Sequence, residues 1–108
     1  MAVTAETKSR LSDPITLADP IIRGEEKISK IQLRKPKSGE LRGLSLQDLM
    51  RSDATALITL IPRVAVPSLS PVEAAGLEPE DLAACAGAVI GFFMTSAEKA
   101  QMQAMLSA

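Results

Sequence analysis

Apolar and polar positions along the chain change period near Gly43, and that change divides it into two kinds of structure. Ile15 and Leu17 flank Thr16, and Ile21 and Ile22 follow. Beyond the polar turn Arg23-Gly24-Glu25-Glu26, Ile31 and Leu33 alternate with Lys30, Gln32 and Arg34. A period of two is that of a half-buried strand, so a β-hairpin is expected over about 14–35. Pro20 has no N–H for a ladder, which predicts an edge strand or an interruption there. Ile28 is out of phase with Ile31 and Leu33, which predicts a bulge or a displaced turn nearby.

Pro36-Lys37-Ser38-Gly39 ends the second strand, and helical spacing takes over. Ser45 stands three residues before Asp48, the spacing at which a hydroxyl caps an amide. Leu46, Leu49, Met50, Leu57, Leu60 and Ile61 follow at intervals of three and four. They predict one helix, or two broken at Ser52-Asp53 with Asp53 capping the second. Pro62 predicts a stop at Ile61. Ser70-Pro71-Val72-Glu73 has a capping Ser, Pro at the first helical position and Glu at the third, and Gly76 closes that short helix. Pro79-Glu80-Asp81 opens the next, with acids at the positive end of its dipole, and it runs to about Met94. Thr95-Ser96-Ala97-Glu98 either caps a final helix or kinks the chain before Met102, Met105 and Leu106. The expected fold is α+β: an N-terminal β-hairpin followed by a small bundle of four to five helices. Residues 1–12 are expected to be a flexible leader and 13–108 a single domain, its helical part at about 45–106.

Composition narrows what such a fold does. The apolar share is 46%, yet Phe92 and Phe93 are the only aromatic residues. A core without aromatic anchors is thin, which suits a protein that completes it against a partner. There is no His and a single Cys, Cys85. The commonest general base and metal ligand is therefore missing, and no Cys–His pair or internal disulfide can form. The six glycines are scattered and make no phosphate loop. No catalytic residue, metal site or cofactor is expected. The first thirteen residues lack the apolar run of a signal peptide, and the uncharged run from Leu82 to Met94 is shorter than the roughly 20 residues a membrane helix needs. A cytoplasmic binding protein is the expectation.

Charge is lopsided although the net value is −1. From Arg23 to Arg42 there are seven basic residues against three acids; from Ser70 onward five acids oppose Lys99 alone. Such polarity can steer a partner, or the protein's own copies head to tail; two solvated faces are the plainer account. Lys30, Arg34, Lys35, Lys37 and Arg42 could form a basic strip on the hairpin, a candidate for nucleic acid. No aromatic residue stands among them to stack a base, which favours a solvent- or protein-facing strip.

The segment Leu82–Met94 carries the strongest binding signal. On a helical wheel Leu82, Ala86, Val89, Ile90 and Phe93 share a face, with Cys85 and Phe92 at its margin. The reverse face should be charged in a monomer. It is Ala84, Gly87, Ala88 and Gly91, small groups that let another backbone approach closely. Either other helices of the chain cover this segment, making it the central core helix, or a partner covers part of it. Leu82, Ala84, Ala86, Gly87, Ala88, Val89, Ile90, Gly91, Phe92 and Phe93 are the candidate partner-binding residues.

The order of motifs carries a resemblance. After Asp19-Pro20-Ile21 comes Leu33-Arg34-Lys35-Pro36-Lys37-Ser38-Gly39-Glu40-Leu41-Arg42-Gly43-Leu44-Ser45-Leu46. Asp53-Ala54-Thr55-Ala56-Leu57-Ile58, Ile61-Pro62-Arg63, Leu77-Glu78-Pro79-Glu80-Asp81-Leu82 and Gly91-Phe92-Phe93 follow. Over roughly Pro14 to Met94 the chain resembles the tail assembly chaperone family of contractile-tailed, Mu-like phages. The resemblance implies a non-enzymatic chaperone, made in the host cytoplasm by a phage or prophage and absent from the mature virion. It implies binding to the tape measure protein while tail tube subunits polymerise, and a longer frameshifted product of the same gene. A homo-oligomer is also expected. A structural tail component of the tube or baseplate, and a small nucleic-acid-binding regulator, are the alternatives.

Overall fold

The computed structural model describes residues 10–107. Strand β1 (Ile15–Arg23) and strand β2 (Glu26–Leu33) form the expected antiparallel hairpin. Their two-residue turn, Gly24-Glu25, holds Gly24 at φ 59°, a left-handed conformation that glycine adopts without steric cost. A third strand, β3 (Ala65–Val66), pairs on the other side of β2 and leaves β2 central. Of the expected leader, residues 1–9 lie outside the described residues. Its last part joins the sheet: Leu11 bridges to Arg34, and the Ser12 amide donates to the Leu33 carbonyl at 2.8 Å.

The interruption foreseen at Pro20 and Ile28 is real. Ile15 and Thr16 pair with Ile31 and Lys30, after which the register jumps to Ile21 opposite Ile28. Residues 17–20 of β1 therefore face Ser29 alone. The bulge re-phases the hairpin so that Leu17, Ile28, Ile31 and Leu33 all enter the core.

A 3-10 turn (Ser38–Leu41) leads into five helices: α1 (Leu46–Met50), α2 (Ala54–Val64), α3 (Pro71–Ala75), α4 (Pro79–Phe93) and α5 (Ser96–Ser107). Their starts follow the capping residues. Ser45, Asp53 and Ser70 each accept a hydrogen bond from the amide three residues on. The chain breaks into two helices at Ser52, which takes φ 62°.

The stop expected at Ile61 is not observed, because α2 continues through Pro62 to Val64. Proline removes one helical hydrogen bond, but here it falls in the last turn and the neighbouring bonds hold. The Ala65 amide still reaches the Ile61 carbonyl, and the Val64 carbonyl accepts from the Arg34 amide of the sheet at 2.9 Å. Val64 is fully buried, so continuing the helix past Ile61 keeps one more core side chain, at about 1.5–3 kcal/mol.

The core lies between the sheet and helices α1, α2 and α4, with Ile31, Leu33, Leu49, Leu57, Leu60, Ile61, Val64 and Val89 almost wholly out of water. Helix α4 lies along β1 and also packs on α1, α2 and β2. Helix α5 differs: every described side chain from Ser96 to Leu106 is exposed.

Candidate functional site

Helix α4 is positioned by one buried carboxylate. Both oxygens of Asp81 accept the Ala18 amide hydrogen, at 3.0 Å each. Ala18 lies in the bulge, where the ladder to β2 is broken, so its N–H needs another partner. Asp81 is only 3% exposed and still answers to the dipole at the start of α4. The sequence assigned it that second role alone. The available clue was an acid at a helix start downstream of a proline-interrupted strand, which by itself names no partner.

This anchor sets the roll of the helix and corrects the wheel drawn from the sequence. Asp81, Cys85 and Val89 recur every four residues and so share one line, and all three are buried together with Ala86. Cys85 sits at the centre of the inner face rather than at its margin. Leu82, Ile90 and Phe93 are half-buried at the flanks. Burial, with the neighbouring Asp81 charge second, pushes the Cys85 thiol up to about 11, so it remains a protonated, inert core group.

The outer side of α4 is left open. Ala83, Ala84 and Gly87 are exposed, and a Cβ added at Gly87 or Gly91 would meet no atom within 4 Å. Ala84, Ala88 and Gly91 floor a groove of about 450 Å³, walled by Leu11–Ile15 and by Phe92, with Lys99 and Asp13 among its lining residues. Of the ten candidate binding residues, the structure brings Ala84, Ala88, Gly91 and Phe92 together here. Gly87 lies on the open side of the helix; Ala86 and Val89 belong to the core. No backbone of the described residues occupies the close approach that the two glycines permit.

The basic residues gather at the far end of β2, not along the hairpin. Arg34 donates to both oxygens of Glu40 and to the Arg63 carbonyl. Arg63 donates to the carbonyls of Glu40 and Arg42 at 2.7 and 2.9 Å, and Arg10 donates to the Lys35 carbonyl at 2.7 Å. The Glu40 carboxyl also accepts the Lys37 amide. The Arg34 hydrogen bond first, then the Lys37 amide, hold its pKa down at about 2. Arg34, Lys35, Lys37 and Arg42 thus converge, joined by Arg10 and Arg63, which the sequence had not singled out. Lys30 stands apart, opposite Thr16 and four strand residues away, about 13 Å along the chain.

Among the described residues no group of His, Cys, Asp or Glu is arranged to hold a metal ion, and no helix is long and apolar enough to cross a membrane. No solved structure matches the chain.

Residues 14–94 match the family of phage tail assembly chaperone proteins described as "E, or 41 or 14". Tail assembly protein E of Escherichia phage P2 is 47% identical over 78 residues, which are 72% of this chain and 86% of that protein. Tail assembly protein E′ of the same phage is 46% identical over 80 residues, 74% of this chain. The chain spans 56% of the length of E′. Both relatives come from phage P2, and the Mu-like grouping stays an expectation of the motif order. The matched stretch contains the hairpin, the basic end apart from Arg10, the core and α4, and on that extent this chain belongs to the phage tail assembly chaperone family.

Proposed function

We propose that the chain is a non-enzymatic chaperone of tail assembly that works in the host cytoplasm, binds the tape measure protein and assists polymerisation of the tail tube around it. The observation that carries this reading is the open side of α4. A small-residue floor beside Phe92 lets an apolar helix of another protein lie close to the α4 backbone, and dispersion contacts grow with every atom so approached. Ala84, Ala88, Gly91 and Phe92 would make that contact. In this reading the chaperone leaves before the virion is finished. The similarity to both E and E′ over nearly the same length fits a longer product of the same gene that shares this domain.

The test is co-expression with the large tape-measure-like protein encoded nearby, measuring how much of that protein is soluble and co-purifies. Rescue into solution, lost on Ala88→Leu with the melting temperature unchanged, supports the reading. A partner that remains insoluble beside a folded chaperone overturns it. Mass spectrometry of purified particles separates the alternative, since a tube or baseplate component remains in them and a chaperone does not.

A further inference from the structure

Folding turns the lopsided charge of the sequence into two opposed ends. Strand β2 runs from Glu26 at the hairpin turn to Leu33 beside the basic cluster, about 23 Å of extended chain. At the cluster end stand Arg10, Arg34, Lys35, Lys37, Arg42 and Arg63, tied together by the bonds to Glu40 and the nearby carbonyls. Arg34 is committed to Glu40. Among the described residues, the side chains of Lys35, Lys37 and Arg42 make no ion pair.

The turn end has the opposite sign. Arg23 is occupied there by both oxygens of Glu73 at 2.7 Å and by the Ser68 carbonyl. Helix α4 starts in this half, since Asp81 bonds to Ala18 while the far end of the helix lines the groove beside Leu11–Ile15. That leaves Glu25, Glu26, Glu78 and Glu80 exposed and, among the described residues, without an ion-pair partner. Lys27 at this end and Asp13 at the other are the minority charges.

We propose that copies of this chain associate head to tail, the basic end of one meeting the acidic end of the next. The chain itself supplies both complementary surfaces, and its net charge of only −1 keeps the overall repulsion between copies small. Opposite-sign ends set register and speed encounter. Two different patches make the contact heterologous, so it builds an open row or a ring rather than a closed pair. The inference does not rest on tape measure binding and stands or falls separately from it.

Sedimentation velocity of the full chain tests it. At low salt the weight-average mass is expected to reach at least twice that of the monomer. It should return to monomer in about 1 M salt, where the screening length falls to about 3 Å. Lys37→Glu with Arg42→Glu removes the positive excess of the basic end and leaves the acidic end intact; Glu25→Lys with Glu78→Lys removes the negative excess of the acidic end and leaves the basic end intact. Each should be monomeric alone, and mixing the two should restore association. All four side chains are exposed, and melting temperature confirms that both variants fold. The proposal is overturned if the native chain stays monomeric at low salt. Association indifferent to salt, persistence in either variant alone, or failure of the mixture to associate would overturn it equally. A monomeric native chain that instead binds polyglutamate or an oligonucleotide, and loses this with Lys37→Glu/Arg42→Glu, would assign the basic end to another partner.

Discussion

Helices α2 and α5 have nearly the same length, 11 and 12 residues, and equally sound beginnings. Asp53 caps α2 at the Ala56 amide. Thr95 and Glu98 cap α5 reciprocally, the Thr95 amide donating to Glu98 at 3.0 Å and the Glu98 amide to Thr95 at 3.1 Å. Yet α2 buries Ala56, Leu57, Leu60, Ile61 and Val64, while Met102, Met105 and Leu106 of α5 remain in water. A cap decides where a helix begins; an apolar stripe that meets another surface decides whether it is held. An isolated helix of this length is marginal in water, and among the described residues of this chain α5 has only its N-terminal cap to hold it.

The largest expected effect sharpens that contrast. Leu60→Ala should cost about 2–5 kcal/mol, the usual range for a buried leucine, read as a fall in global stability by denaturant titration. Met105→Ala should stay within about 0.5 kcal/mol, as exposed substitutions do. Equal losses would mean that α5 is packed after all. Amide exchange offers a second view: α2 should open only with global unfolding and α5 long before it.

Asp81 comes next. Asp81→Ala takes the carboxylate acceptor from the part-buried bond to the Ala18 N–H, at a cost of about 1–3 kcal/mol. Asp81→Asn keeps an acceptor oxygen and should recover part of the loss. If both variants cost the same, the charge matters rather than the hydrogen bond. Because the anchor joins β1 to α4, its loss should quicken exchange in those two elements and leave α5 unchanged.

Much of the α2 side was legible in the sequence because its signals are local. The hairpin showed in alternation, the bulge in the phase of Ile28, and the helix starts in Ser45, Asp53 and Ser70. Three features were not legible, and each depends on residues distant in sequence. Helix α2 passes Pro62 because Arg34 and the core hold its last turn. Helix α4 rolls onto Cys85 because Asp81 finds Ala18, 63 residues away. The basic cluster acquires Arg10 and Arg63 because strand pairing brings their segments to Glu40. The small-residue run of α4 was visible as composition, but only the fold shows which of its members face outward.

The outer side of α4 behaves like α5 although its inner side behaves like α2, and Gly87 tests this. Glycine within a helix costs about 1 kcal/mol relative to alanine, and an added Cβ here meets nothing within 4 Å. Gly87→Ala should therefore raise stability by about 1 kcal/mol by thermal or urea unfolding. A destabilised variant would mean that some surface already approaches this side. A stabilised variant that solubilises less of the tape measure protein would show that the close approach serves the partner.

The smallest effect is that of acid, and it separates the packed part of the molecule from α5 by their carboxylates. Glu40, held by Arg34 and the Lys37 amide, and Glu73, held by Arg23 and the Ser70 amide, both titrate near 2 instead of the ordinary 4.5. Glu98 is lowered by the Thr95 amide and hydroxyl. A depressed carboxylate stabilises the fold above its unfolded value, and that contribution is lost as pH falls through the folded one. The window for Glu40 and Glu73 therefore runs from about 4.5 down to about 2. Both are partly solvated, so screening keeps each contribution small. Global stability should decline gently across that window, and Glu40→Gln should flatten the decline. Glu98→Gln should leave global stability untouched and reduce only the acid dependence of α5 helicity, followed by circular dichroism. A global effect from Glu98 would tie α5 to the core and erase the distinction between the two helices.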